Sequence, residues 1–415
     1  MNLWIALMMS PFFISCVGST ASDFSRSINF DSRVLHKELE AVDLDKTVHG
    51  DGRRGLPGVL MDRPAPAASI DGKYIAWTDR TSIYIATFDG RNFVTKFGFS
   101  FKNFNTIIQK ILWLKDDVFA VSGNDISGGN SSSLMIVGMT GGQKANIISS
   151  TTIAERLLNF EFRKGTFLLA VERIKELILL KLNADSTTKI LSHLGASTPN
   201  HHSGEHNLIS MGDDRFFYAL GSGSYTNRNS WWSYIKNWIY HPAVLGAYDI
   251  SIPKNPKRIG SVIETKGLSD VTSNSVEPIV NMQVGQNWIM VSGTKSNKFF
   301  ALGAAGIGEE IKVPDMNMTF KDAILIDMQT LISVDSDYCY SIWQYSTSQK
   351  TISRIAKLDR KLSDEAALAV SGRSLFKIGN LVINTSLYED GYDAIDVSDP
   401  KKPTFSKVKV LPFES

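Results

Sequence analysis

The sequence predicts an all-β fold: a seven-bladed β-propeller of four-stranded antiparallel blades, preceded by an N-terminal signal or tether segment. Three observations carry the prediction. A strand–turn–strand pattern recurs seven times between Met61 and Leu411. Each copy ends in a hairpin of two apolar strands. One turn, Asp-Ile/Val-Ser-x-Pro-Lys-x-Pro, is written twice, at Asp249–Pro256 and Asp396–Pro403.

The repeats set the architecture. The second strand of each unit reads KYIAW from Lys73, VFAV from Val118, FLLAV from Phe167, FFYAL from Phe216, WIMV from Trp288, LISV from Leu331 and LVIN from Leu381. Most follow Gly, Asp or Asn, which is turn chemistry placed just before a β-rich run. The closing hairpins turn at DGRN, TGGQK, NADST, IPKNP, AAGIG, TSQK and DPKKP. A unit of roughly 50 residues matches the repeat length of a propeller blade with its loops. Two packed β-sandwiches would not need one strand–turn order seven times over.

In the doubled turn, Asp249 and Asp396 close a strand. With Ser251 and Ser398 they can accept nearby backbone N–H groups and start the turn. Pro253, Pro256, Pro400 and Pro403 fix φ and hold an extended bend. The phrase resembles the LVIVD-type repeat of secreted bacterial and archaeal β-propeller proteins. The matching residues are Asp249, Ile250, Ser251, Pro253 and Pro256, then Asp396, Val397, Ser398, Asp399, Pro400 and Pro403. Ile252 departs from the acidic residue expected before the proline. The resemblance implies a propeller and an exported location. It transfers no catalytic residue, because the motif is a turn.

The chain divides into residues 1–21, 22–60 and 61–415. Residues 1–21 are an apolar run followed by small residues, too short to span a bilayer comfortably but fit for the apolar core of an export signal. Ser19-Thr20-Ala21 suits cleavage to a soluble product. Phe13-Ile14-Ser15-Cys16 resembles a bacterial lipoprotein box, in which Cys16 would be lipidated. The expected location is therefore periplasmic, cell-surface or secreted, with membrane attachment only through that lipid. In residues 22–60, SRVLHKELEAV predicts a short helix and HGDGRRGLPG a linker, and the segment either tethers the propeller or adds a closing strand. Residues 61–415 are the propeller.

Composition narrows the partners. Net charge is +2 with charged residues at 21% and no dense Lys/Arg block, which argues against a nucleic-acid surface. The 2 cysteines, Cys16 and Cys339, offer no disulfide framework once Cys16 is cleaved off or lipidated, so packing must stabilise the chain.

In such a blade the two–three connection and the crossover to the next blade emerge on one face, and the tight turns on the other. Binding residues tend to gather on long loops over a rigid scaffold. The longest insertion, Gly221–Pro242, lies between strands two and three of unit four. Trp231, Ile235, Trp238 and Ile239 share one face of a predicted helix. Trp231, Trp232, Tyr234, Trp238 and Tyr240 form an aromatic candidate platform for a sugar, a partner protein or a membrane surface, unless the helix packs over the propeller and buries them.

The crossover before unit four carries His201, His202, Glu205 and His206. These are imidazole and carboxylate ligands suited to zinc, in a loop-like spacing without HExxH. Asp335 and Asp337 of unit six, with Glu389, Asp390 and Asp393 of unit seven, are oxygen ligands suited to calcium. No cofactor is firmly implied beyond such a divalent metal. An EF-hand loop, a G-x-S-x-G elbow and a dinucleotide fingerprint are all absent. The leading expectation is an exported, non-catalytic propeller that binds a protein or glycan of the cell envelope through its long-loop face. The alternative is a metal-dependent hydrolase or lyase acting on an extracellular polymer at the same face.

Overall fold

The computed structural model describes residues 30–42, 44, 66–126, 131–141, 144–171, 176–195, 203–222, 243–265, 267–268, 279–314, 316, 318–360, 367–368, 374–388 and 391–411. It is an all-β ring of seven antiparallel sheets, each built on four consecutive strands. The second strands are Tyr74–Thr78, Val118–Asp125, Thr166–Val171, Arg215–Ser222, Trp288–Gly293, Thr330–Asp335 and Leu381–Tyr388, the runs that the sequence singled out.

The core is not one mass but seven clusters, one at each seam between neighbouring blades. Period-two alternation produces this. In blade 3, Phe167, Leu169 and Val171 pack toward blade 2, while Leu168 and Ala170 pack toward blade 4. Both faces of each central strand are therefore apolar, which is why those strands read as continuous hydrophobic runs. The seventh cluster joins Ile75, Trp77, Tyr84 and Phe93 of blade 1 to Phe376, Ile383, Tyr392 and Val408 of blade 7, and closes the ring.

Both ends of the described chain reinforce that closure from outside. Phe30–Glu38 adds a fifth, outermost strand to blade 2, antiparallel to Lys144–Ile153. Glu40–Ala41 then pairs with Ser100 and Phe99 of blade 1. Leu39, between the two, is 5% exposed and sits in the seam of blades 1 and 2. Ser32 Oγ accepts the Thr188 N–H of blade 3 at 2.8 Å. At the other end Val410–Leu411 pairs in parallel with Phe93 and Val94 of blade 1.

The short helix expected over SRVLHKELEAV is thus a strand. An isolated two-turn helix is unstable. The outer edges of blades 1 and 2 instead offer unpaired N–H and C=O groups that this segment satisfies.

The tight turns behave as their sequence implies. Asp249 Oδ1 accepts the Ser251 N–H at 2.8 Å, and Asp396 Oδ1 accepts the Ser398 N–H at 2.8 Å and the Ser398 hydroxyl at 2.6 Å. In each turn the serine side chain, and then its backbone N–H, holds the carboxyl below its ordinary value of 3.8. A carboxyl depressed in the folded state contributes stability above its unfolded value and loses it as pH falls through the folded one. Stability should therefore decline as pH drops below about 4. The double variant Asp249→Asn/Asp396→Asn should show a shallower decline in urea midpoint between pH 5 and pH 3, and identical slopes would refute this.

Candidate functional site: the long-connection face and the channel girdle

Strands alternate in direction, so the two–three connections and the blade-to-blade crossovers share one face. The innermost strands descend from it around the central channel. On four of them a β-bulge near the start is followed at once by a polar residue: Lys110 in blade 2, Asn159 in blade 3, Asn281 in blade 5 and Asp322 in blade 6. Beside the bulge, Lys110, Asn281 and Asp322 reach groups of the next blade.

The contacts form a girdle. Lys110 Nζ donates to Asn159 Oδ1 at 3.0 Å, to the Phe160 carbonyl at 2.6 Å and to Glu161 at 2.8 Å. Asn281 Nδ2 donates to Asp322 Oδ1 at 2.6 Å and to the Ala323 carbonyl at 2.8 Å. Asp322 Oδ2 accepts the N–H groups of Ser374 at 2.6 Å and Leu375 at 2.8 Å in blade 7. Each bond runs from one inner strand to the next. The seams are therefore apolar in the middle and polar beside the channel.

The seam of blades 6 and 7 carries a buried polar cluster. Asp393, 0% exposed, accepts the Tyr340 hydroxyl at 2.7 Å, Arg360 Nε at 3.1 Å and Lys407 Nζ at 2.7 Å. Asn384 Nδ2 donates to the Tyr340 oxygen at 2.9 Å. Burial, and next the Asp393 charge, push the Tyr340 hydroxyl well above its ordinary range. It stays protonated and serves as a donor. Arg360 and Lys407 also lie over the half-exposed Phe405 ring, at 5.2 and 5.7 Å from its centre.

The two–three turn of blade 6 is built on Asp335. Its Oδ1 accepts the N–H groups of Asp337 and Cys339, both at 2.9 Å, and its backbone oxygen accepts that of Tyr338 at 3.1 Å. The turn puts Tyr338 at φ +60°, in the left-handed region that an aromatic residue seldom occupies. Its hydroxyl accepts from Lys321 on the inner strand, whose ammonium also sits 4.1 Å from the ring centre.

Of the residues the sequence singled out, Asp335 and Asp337 thus lie in one turn. Asp335 is buried and spends one oxygen on its own loop, while Asp337 is exposed. His206 lies on the first strand of blade 4. Trp231, Trp232, Tyr234, Trp238, Tyr240, His201, His202, Glu389, Asp390 and Cys16 lie outside the described residues. Among the described residues no three His, Cys, Asp or Glu side chains are placed to hold a metal ion.

The girdle and the Asp393 cluster escaped the sequence reading. Their signal was present as a pair of polar residues inside each apolar inner strand: IIQKIL, LLNFEF, IVNMQV and FKDAIL. The sequence groups Asp393 with Glu389 and Asp390 in the two–three loop of unit seven as a calcium-type acid, whereas the structure seats it on the third strand, Tyr392–Asp396, engaged with Tyr340, Arg360 and Lys407.

No family model matches the sequence, and no curated protein does. Among solved structures the chain is similar to a protein from Lactobacillus plantarum, at 10% identity over 71% of this chain and 83% of that one, with a TM-score of 0.47. It is also similar to a protein from Bacteroides uniformis provisionally assigned as a 6-phosphogluconolactonase, at 9% identity over 79% and 93% of the two chains, with a TM-score of 0.47. A third is dihydro-heme d1 dehydrogenase NirN in complex with DHE, at 12% identity over 71% and 56%, with a TM-score of 0.44. None of the three bears on the chemistry of this chain.

Proposed function

We propose that this propeller is an exported, non-catalytic binding protein that engages a protein or glycan of the cell envelope through its long-connection face. One observation supports the reading above the others: the buried charges beneath that face are consumed in joining blades. Asp393 is committed to Tyr340, Arg360 and Lys407, and Asp322 to the inner strands on either side of it. Groups so engaged make a stiff frame, and a stiff frame lowers the ordering cost of binding. The contact chemistry then falls to the connections, and the richest in aromatic residues is that between Arg215–Ser222 and Ala243–Asp249 of blade 4.

The test is capture of envelope proteins and a glycan array with purified protein. Trp231→Ala/Trp238→Ala should lower the retained signal at least about tenfold, the scale of losing a buried aromatic anchor. An unchanged signal from the folded double variant would reject the aromatic platform. Stoichiometric zinc, manganese or calcium in the purified protein would reject the reading as a whole in favour of a metal-dependent enzyme.

A further inference from the structure

Blade 5 carries a cleft that the reading above does not use. Its two–three turn is only Thr294–Ser296, between Trp288–Gly293 and Asn297–Gly303. The turn is drawn toward blade 4: the N–H groups of Lys295 and Ser296 donate to the Leu268 carbonyl at 2.8 and 3.1 Å, and the Ser296 hydroxyl to that of Gly267 at 2.7 Å. The crossover to blade 6 is fixed on the other side. Asn297 Nδ2 donates to the Met318 carbonyl at 2.8 Å, and its Oδ1 accepts the Phe320 N–H at 3.1 Å. Between the turn, the third and outer strands and the crossover lies a hollow of about 490 Å³.

Its lining has two characters. Lys295, Lys298 and Lys312 stand around it on three different elements: the turn, the third strand and the crossover. Glu310 is the one carboxylate among the described lining residues, and it pairs with Lys298 at 3.3 Å. Ser296 and Asn297 are polar as well; the apolar part of the wall is Phe299, Ile311, Val313 and the half-buried Met316 and Met318. Methionine at an open wall is an adaptable contact for apolar chains. A concave, mostly preformed hollow of this size falls in the range of small-molecule sites.

We infer that the blade 5 cleft binds a small amphiphilic anion, with a carboxylate held among Lys295, Lys298 and Lys312 and an apolar body laid against Met316 and Met318. The inference uses none of the blade 4 aromatics, and neither reading depends on the other. Sodium dodecanoate below its micelle concentration is the probe, titrated calorimetrically into the full chain. Dodecyltrimethylammonium, with the same tail and the opposite charge, is the control.

Saturable one-to-one binding of dodecanoate is expected, with the cationic tail binding at least about tenfold more weakly. Lys295→Glu/Lys312→Glu changes two exposed side chains and should weaken dodecanoate at least about tenfold while leaving the melting curve in place. Met316→Asp should weaken it with both lysines intact. The inference is overturned by equal binding of both tails, by dodecanoate binding that survives the lysine variants, or by no saturable binding at all.

Discussion

Asp322→Ala should destabilise the ring by about 3–5 kcal/mol, a loss typical of breaking a buried, multiply bonded charge. The carboxylate is 2% exposed and lies at the start of the innermost strand of blade 6. One oxygen accepts Asn281 Nδ2 and the Ala323 N–H, and the other accepts the N–H groups of Ser374 and Leu375. Alanine leaves those donors without their acceptor, at a cost of about 1–3 kcal/mol for each that water cannot reach. It also unfastens three consecutive blades at once. Asp322→Asn keeps one accepting oxygen and should fall between wild type and alanine. Urea unfolding followed by tryptophan fluorescence measures both. An alanine variant within about 0.5 kcal/mol of wild type, the range of ordinary surface changes, would refute the girdle's role.

Removal of residues 1–42 should cost about 5 kcal/mol or more and lower soluble yield. The segment buries Leu39, packs Leu35 and Phe30 against two seams, and ties blades 1, 2 and 3 along the rim. Leu39→Ala alone should cost about 2–4 kcal/mol by the usual large-to-small penalty. The yield falls for a second reason: without the strap, the outer strands Phe93–Ser100 and Lys144–Ile153 present open edges to other chains. A truncated protein that stays monomeric, with an unchanged urea midpoint, would show that the strap is an ornament to the ring.

The fold was legible because a blade is a local object. Four strands and three turns lie within some fifty residues, the apolar runs repeat with them, and one Asp-Ser turn recurs in blades 4 and 7. What joins one blade to another was less legible. Lys110 and Asn159, or Asp322 and Ser374, are far apart in sequence and meet only when the ring forms, so each reads alone as a polar interruption of a strand. The strap misled for a related reason: SRVLHKELEAV has no partner within itself, and its strand conformation is dictated by the free edges of blades 1 and 2. Asp335 was visible as a loop acid, yet only coordinates show its oxygen turned onto Asp337 and Cys339.

Hydrogen exchange at the seam of blades 7 and 1 tests the closed ring most directly. The Phe93 N–H donates to the Lys409 carbonyl at 2.8 Å, a bond between the first blade and the chain leaving the last. In a closed ring that amide, with those of Val94 and Leu411, should exchange as slowly as the amides inside blade 4. Truncation after Lys407 should then release Phe93 and leave blade 4 unchanged. Exchange of Phe93 within seconds at neutral pH, in a protein whose blade 4 remains protected, would contradict the closed ring.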